Sequence, residues 1–588
     1  MANLDRARAR RKAASAVSVT LRAMASKLEV EREPLNMKEA LSGKFGDPQK
    51  WLAAVQAELG AMSKLGVWKE VTELPAGIKP LGTKFVFKRK RNSAGEIEKY
   101  KVRMVALGHL QHYGKDYKET FSPVLDTTSL RVLLALVAAL DLECTMVDYD
   151  TAYLNATIDR EVYLAVPAHC GYNSAVVAFK LIKALYGLHQ SGRLWNKALE
   201  ELLIALGYST PGCTDRCVYI RKSRSGRLLI VGIYVDDQIN IFHKEDAEEM
   251  EEDIKKMEAK YKLKRLGPVE LILGMHVSRD RKAGTLTLDL SSYTKRMCEE
   301  FRVDTGKVVA TPESAWDQKI AEAKQTGAAL GKRPSADPAD SPLEQKPEMK
   351  DEIRNDTLPS AIGALMWVSN NTRPDVSHAV NKLASEITKP TESTLKGIRR
   401  VFSYLRSTAH LGITYSRGPQ EHRAEQVGFK MYSDADWAGC VVTRKSTTGL
   451  LAMMSGGAVH WKSNRQSTVA MSSAEAEYIA AAEAAKSVIA LRRLLGEIGA
   501  TQSKPTPLLM DNQTAIRMAL VESQQGRRKH IDVKHHKIVE LNGKELSCQW
   551  VSTVDELADL LTKALPQRVF DHLRDIILGR VESEIGSD

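Results

Sequence analysis

Seven acidic residues fall into two groups whose spacing could do chemistry. In the first, Asp236 and Asp237 lie between two apolar, β-branched runs, Leu228–Ile233 and Gln238–Phe242, so the segment reads as a hairpin turning at Tyr234-Val235-Asp236-Asp237. Adjacent carboxylates between buried strands are costly unless a divalent cation neutralises them, and hard cations such as Mg²⁺ take carboxylate oxygens and often substrate phosphates as well. A third acid, Asp148, ends a strand-like segment after the apolar, helix-like run Leu130–Leu140. In the second group, Asp434 and Asp511 end strand-like segments, Glu477 lies in an Ala-rich helix opened by Ser472, and Asp559 lies in a last helix. Four carboxylates so placed can hold two Mg²⁺ ions about a bridging phosphate. Asp436, Glu475 and Asp555 lie within a turn of these acids, but Ser472 and Glu475 have capping-box spacing, which commits Glu475 to the helix start.

Composition bounds what these acids could act on. A chain of 588 residues exceeds one core, and the length prior gives about three or four domains. Lys plus Arg exceed Asp plus Glu by 12, which favours a polyanionic partner such as nucleic acid. No uninterrupted apolar run approaches the roughly 18 residues of a membrane helix, so no membrane is expected. Seven scattered cysteines imply a reducing compartment and no disulfide framework. Cys213 and Cys217 are four apart, with no second pair at zinc-site spacing.

The elements that must position the acids follow in order. Asp47 caps and Pro48 opens a helix running to about Leu65, and Val67–Val71 follows it. Leu81–Lys90 and Tyr100–Ala106 alternate apolar and basic residues about a turn at Asn92–Gly95, a ribbon that can present Lys88, Lys90, Lys101 and Arg103 to phosphates. Lys244–Tyr261 is a charged helix with acids before bases, the order the helix dipole favours. Thr285–Leu288 and Tyr293–Phe301 read as strand and helix. Asp304–Asn355 is rich in Pro, Lys, Ala, Asp and Glu with little periodicity, and reads as a flexible linker. Asn370-Asn371-Thr372-Arg373-Pro374-Asp375 reads as capping and packing. His530, His535 and His536 form a local cluster that reads as structural or RNA-contacting ahead of the alternative, metal binding.

Several segments occur in one order: Trp51 and Trp68, Lys84-Phe85-Val86-Phe87-Lys88, Tyr100-Lys101-Val102-Arg103-Met104-Val105-Ala106-x-Gly108, and Asp116-Tyr117-x-Glu119-Thr120-Phe121-Ser122-Pro123-Val124. Leu185-Tyr186-Gly187-Leu188-x-Gln190-Ser191-Gly192 and the Tyr-Val-Asp-Asp hairpin follow. Over about residues 47–566 the chain resembles the reverse transcriptase and RNase H portion of copia-type long-terminal-repeat retrotransposon Pol polyproteins. The resemblance implies a multidomain α+β and α/β chain, a right-hand polymerase of fingers, palm and thumb followed by a connection and an RNase H-like domain. It implies an RNA-directed DNA polymerase using two-metal nucleotidyl transfer, with Asp148, Asp236 and Asp237 as ligands, coupled to an RNase H with Asp434, Glu477, Asp511 and Asp559 as ligands. Each site would hold two Mg²⁺ ions, with Mn²⁺ as a substitute. The partners implied are an RNA template, a DNA primer, the RNA–DNA hybrid and deoxynucleoside triphosphates. By resemblance Lys88, Lys101 and Arg103 hold the triphosphate, Tyr153 fills the space of a ribose 2′-hydroxyl, and Gln190 lies in the nucleotide-pocket wall. His189 stands where many relatives carry Lys, and Leu107-Gly108-His109 where many carry Lys-Gly-Phe, each removing a phosphate contact.

The boundaries expected are a basic extension 1–46, a polymerase 47–303, a linker 304–355, a helical connection 356–427, the nuclease-like domain 428–568 and a tail 569–588. By resemblance the chain is intracellular and cytoplasmic, in virus-like particles, and forms the C-terminal part of a longer polyprotein or a truncated element. The competing reading is a domesticated or decayed fragment that binds nucleic acid without catalysis. Intact acids at all seven positions argue against it.

Overall fold

The computed structural model describes residues 32–91, 96–167, 172, 175–210, 214–301, 308–314, 357–418, 424–440, 443–520 and 537–581. The basic arm at residues 6–12, the turn at 92–95, Cys213, residues 315–356 and the histidines at 530, 535 and 536 lie outside them. The described chain forms two compact units. One comprises Met1–Val124, Tyr149–Gly207 and Lys256–Lys264; the other comprises Leu125–Asp148, Tyr208–Lys255 and Arg265–Asp588.

In the first unit the helix Pro48–Lys64 starts where its sequence dictates, Asp47 Oδ1 accepting from the Gln49 and Lys50 amides. It buries Trp51, which meets Phe87 and Tyr100 edge-on at 5.3 and 4.5 Å and donates its indole N–H to Phe45 O at 3.0 Å. Phe87 and Tyr100 belong to the ribbon Thr83–Arg91 and Ile97–Ala106, whose strict alternation turns Phe85 and Phe87 inward and Lys84, Lys88 and Lys90 outward. Where Ala106 meets the Tyr186–Gly187 turn, two backbones nearly touch. A Cβ on Gly108 would lie 1.9 Å from Gly187 O, and one on Gly187, at φ 91°, would lie 2.2 Å from Ala106 O. Those two glycines in the quoted motifs are therefore steric requirements.

The second unit carries both groups of acids. One five-stranded sheet orders the strands Leu263–Pro268, Glu143–Tyr149, Asp237–Phe242, Leu228–Tyr234 and Val218–Lys222. The hairpin turn holds Val235 at φ 59°, a value that a β-branched residue rarely adopts. A second sheet runs Leu271–Ile272, Met275–Asp280, Thr285–Asp289 and Ile413–Ser416. That last strand adds to the helical connection expected over 356–427, and its pairing partners lie 125 or more residues earlier, as in Leu288↔Ile413, beyond local pattern reading.

The third sheet has the order Gly457–Arg465, Thr447–Met454, Phe429–Asp436, Thr506–Met510, Leu546–Trp550, with the first three strands antiparallel and the last two added parallel. The 25-residue helix Ser473–Glu497 packs on it. This is the RNase H-like arrangement that the resemblance implies.

Three further expectations change. Residues 309–314, assigned to the linker, are packed: Arg400 donates to Thr311 O and Oγ1, and Glu313 pairs with His378 and Lys382. The expected tail contains the helix Gln567–Ile577, which buries Phe570, Leu573, Ile576 and Ile577 and stacks Phe570 edge-on against Tyr404 at 5.6 Å. The sheets that carry the two groups of acids are also not joined by a tether alone. Arg131, on the helix Thr127–Ala139, is buried with its guanidinium 4.1 Å above Trp461 and donates to Val459 O, Asn370 O and Asn371 O. The Arg373-Pro374-Asp375 motif is structural, as expected: Arg373 forms a two-pronged ion pair with Asp375, both buried, and Tyr404 donates to the same carboxylate at 2.6 Å.

Candidate active sites

Antiparallel pairing of Glu143–Tyr149 with Asp237–Phe242 sets Asp148 directly opposite Asp237, with Asp236 in the adjoining turn. Like charges across a ladder position repel. Asp237 shows the result: burial, and then Asp236 and Asp148, push its pKa up to about 6. Such an arrangement fits residues that complete their charge balance with a cation. Asp150, two positions past Asp148, is already neutralised by Lys262 at 3.2 Å and Lys264 at 2.9 Å.

The phosphate- and sugar-contact candidates all belong to the first unit. Lys88 stands opposite Lys101 in the ribbon, and Arg103 is two positions on along the same face. The Lys101 ammonium is held below its usual range by burial and by the charges of Arg103 and Lys90. A strand face that sets cations side by side is poised for an anion. Tyr153 lies in the short turn Ala152–Asn155, its ring 5.2 Å from Tyr186, and Arg103 lies 5.2 Å above the other partner of that stack, the Tyr186 ring. Tyr186, which the sequence reading passed over, thus joins two of its candidates.

Gln190, expected in the nucleotide-pocket wall, is tied to a neighbouring loop. It is fully buried, donates from Nε2 to Asp116 O at 2.9 Å and accepts from Gln111 Nε2 at 3.0 Å. With both ends of its amide engaged, it positions the loop 111–116.

The second group converges more tightly. Asp434, Glu477 and Asp511 bring ligand oxygens within 4.8 Å of one another, and they are the only such set of three among the described residues. Asp434 sits on the central strand Phe429–Asp436, Glu477 on the first turns of the long helix, and Asp511 just past Thr506–Met510. The alternatives are engaged elsewhere. Glu475 accepts from the Met471 amide at 2.8 Å at the helix start, and Asp555 accepts from Ser552 Oγ at 2.5 Å.

Polar neighbours fix the three acids. Thr562 Oγ1 donates to Asp434 Oδ2 at 2.5 Å, Asn512 Nδ2 to Glu477 Oε1 at 2.9 Å, and Thr553 Oγ1 to Asp511 Oδ2 at 2.9 Å. Glu477 Oε2 is buried with no hydrogen-bond partner. Burial, followed by Asp434 and Asp511, raises the Glu477 pKa to about 8. A buried carboxylate oxygen left without a donor beside two other acids fits a divalent cation.

Asp559 is near this set but outside it. It lies in the 3₁₀ turn Leu557–Leu561, a shorter element than the helix expected, and is 3% exposed. Burial and Asp434 push its pKa up to about 8, yet Lys563 Nζ lies only 2.7 Å from its Oδ1. The close approach of this turn to the sheet depends on Gly449, opposite Asp434 in the ladder, where a Cβ would lie 2.6 Å from Thr562 Cγ2 and 2.8 Å from Ala558 O. A fifth acid, Glu556, is fully buried behind the set, and burial together with Asp434 holds its pKa well above the carboxylate range. Sequence reading missed Glu556, Thr562 and Lys563; the lysine four positions after Asp559, at helical pairing distance, was the available signal.

Residues 66–315 match the family model of reverse transcriptase (RNA-dependent DNA polymerase). The retrovirus-related Pol polyprotein from transposon TNT 1-94 of Nicotiana tabacum is 33% identical over 93% of this chain and 39% of its own length. The corresponding polyprotein from transposon RE1 of Arabidopsis thaliana is 29% identical over 93% of this chain and 35% of its own length. The chain thus spans less than two fifths of these relatives. Among solved structures, a foamy viral protease–reverse transcriptase in complex with double-stranded DNA aligns with TM-score 0.45 and 11% identity, covering 85% of this chain and 69% of that one. Among the described residues no helix is long and apolar enough to cross a membrane.

Proposed function

We propose that this chain, which matches the reverse transcriptase family model at residues 66–315 and resembles copia-type retrotransposon Pol polyproteins along most of its length, copies RNA into DNA and cleaves the RNA strand of the resulting hybrid. The reading rests above all on the register that sets Asp148 opposite Asp237 beside Asp236. These three acids would hold divalent cations in the polymerase, and Asp434, Glu477 and Asp511, joined by Asp559, would hold them in the nuclease. When bound, such ions activate an attacking oxygen and stabilise the charge developing on phosphate; Mg²⁺, with Mn²⁺ as a substitute, suits an all-oxygen ligand set.

The chain's own residues do the rest. In the polymerase, Lys88, Lys101 and Arg103 offer cations to a deoxynucleoside triphosphate. In the nuclease, Asn512, Thr553 and Thr562 orient the acids, and burial of Glu477 and Asp559 excludes the water that would otherwise screen them.

The test is extension of a DNA primer annealed to an RNA template in Mg²⁺. The proposal expects extension to the template end; tight hybrid binding with no extension would instead support the binding-only reading. A second result concerns Tyr153, whose ring, supported by Tyr186, is proposed to exclude a 2′-hydroxyl. Tyr153→Ala is expected to raise ribonucleotide incorporation relative to deoxyribonucleotide, measured by single-nucleotide kcat/KM. An unchanged ratio would leave the ring as packing only.

A further inference from the structure

Lys563 is the one cation that ion-pairs within the nuclease acids among the described residues, and its position suits it to more than an ordinary helical ion pair. Its Nζ lies 2.7 Å from Asp559 Oδ1 and 3.8 Å from Asp434 Oδ2, so it bridges the outlying acid and the central one. Asp434 at the same time belongs to the trio whose ligand oxygens lie within 4.8 Å, whereas Asp559 does not. The backbone that carries the lysine is fixed: the Thr562 and Lys563 amides donate to Asp559 O at 3.2 Å, and Thr562 Oγ1 is bonded to Asp434. Its side chain is less fixed, about a third exposed, on a four-carbon stem that can turn toward solvent. An ammonium between two carboxylates supplies one of the positive charges that four clustered acids require, and it repels any cation approaching the same pair.

Resting on the nuclease reading above, we propose that Lys563 stands in for one cation in the substrate-free nuclease site. Asp434, Glu477 and Asp511 then take up a single divalent ion, and Asp559 becomes a ligand for a second only when Lys563 turns away. The RNA strand's phosphate, an anion arriving beside the site, is the group that would attract the ammonium and free Asp559. Lys563 is thus a positioning residue that couples occupancy by the second ion to the presence of substrate.

Counting bound ions tests this without any turnover. In the full chain carrying Asp148→Asn, Asp236→Asn and Asp237→Asn, which removes the polymerase ligands, Mn²⁺ is titrated in the absence of nucleic acid and bound ions are counted by calorimetry and electron paramagnetic resonance. One ion is expected with Lys563 in place, two with Lys563→Met, and one again with Lys563→Arg, which keeps the charge. An equal count for Lys563 and Lys563→Met, with only thermal stability changed, would overturn the proposal and leave a structural ion pair. Adding Glu477→Gln separates the two levels of the argument: it is expected to abolish the remaining ion, and an ion surviving that change would refute the nuclease site itself.

Discussion

Asp237→Asn, and equally Asp236→Asn, is expected to abolish primer extension while leaving hybrid binding nearly unchanged. The substitution keeps the side chain's shape and removes one negative charge from a group of three, where Asp148 and Asp237 face each other across the ladder. Stabilisation of transition-state charge by a bound cation amounts to several kcal/mol, and at about 1.4 kcal/mol per decade the loss should reach roughly a thousand-fold in kcat. Binding should persist because affinity for hybrid comes from cations meeting phosphates, and neither aspartate is one of them. Gel-based extension and a filter-binding titration on the same preparation give both readings. Full extension by either variant would remove the palm assignment.

Glu477→Gln is expected to lose cleavage of the RNA strand by a similar factor and to retain primer extension. The side chain keeps its size and can still take part in hydrogen bonding with Asn512, so the fold about it should hold. The same substitution has an opposite effect on metal-free stability. The folded-state pKa of Glu477 is raised from an ordinary 4.5 to about 8, so the neutral form is the one the fold favours. Its favourable contribution is full below about pH 4.5 and is lost as pH rises toward 8. Glutamine stays neutral, so the melting temperature of the metal-free variant should exceed that of the parent at pH 8, with the gap closing toward pH 4.5. Equal melting temperatures at pH 8 would mean that Glu477 is not electrostatically strained. Cleavage that survives would point to Glu475, although that carboxylate is occupied at the helix start.

What the sequence revealed was whatever is encoded locally. The Asp47-Pro48 helix start, the Ser472 cap, the Tyr234–Asp237 turn and the strands ending near Asp434 and Asp511 all depend on neighbours a few residues away, and they lie where the pattern puts them. Elements defined by distant partners were not legible. Ile413–Ser416 is a strand because Thr285–Asp289 offers it an edge. Gln567–Ile577 lies past the last family motif and runs into the expected tail 569–588, although Phe570, Leu573, Ile576 and Ile577 already mark one apolar face. Arg131 looks anomalous inside an apolar helix until Trp461 and three carbonyls from elsewhere in the chain surround it.

The candidate sites divide in the same way. Acid types and spacings named the carboxylates, but the electrostatics depend on residues the motifs do not mark. Lys563 bridges Asp559 and Asp434, and Glu556 adds a buried acid behind them. Gln190 shows the converse: a motif residue whose hydrogen bonds to Asp116 and Gln111 no local pattern announces.

One chain is proposed to hold two acid sites, each with its own ligands, although the helix Thr127–Ala139 and the strand Gly457–Arg465 pack together through Arg131. A single reaction tests it: a labelled RNA template annealed to a labelled DNA primer, incubated with Mg²⁺ and deoxynucleoside triphosphates, with extension and RNA cleavage read from one gel. Asp237→Asn should cleave without extending, and Glu477→Gln should extend without cleaving. If either substitution removed both activities, or neither did, the two-site account would be contradicted.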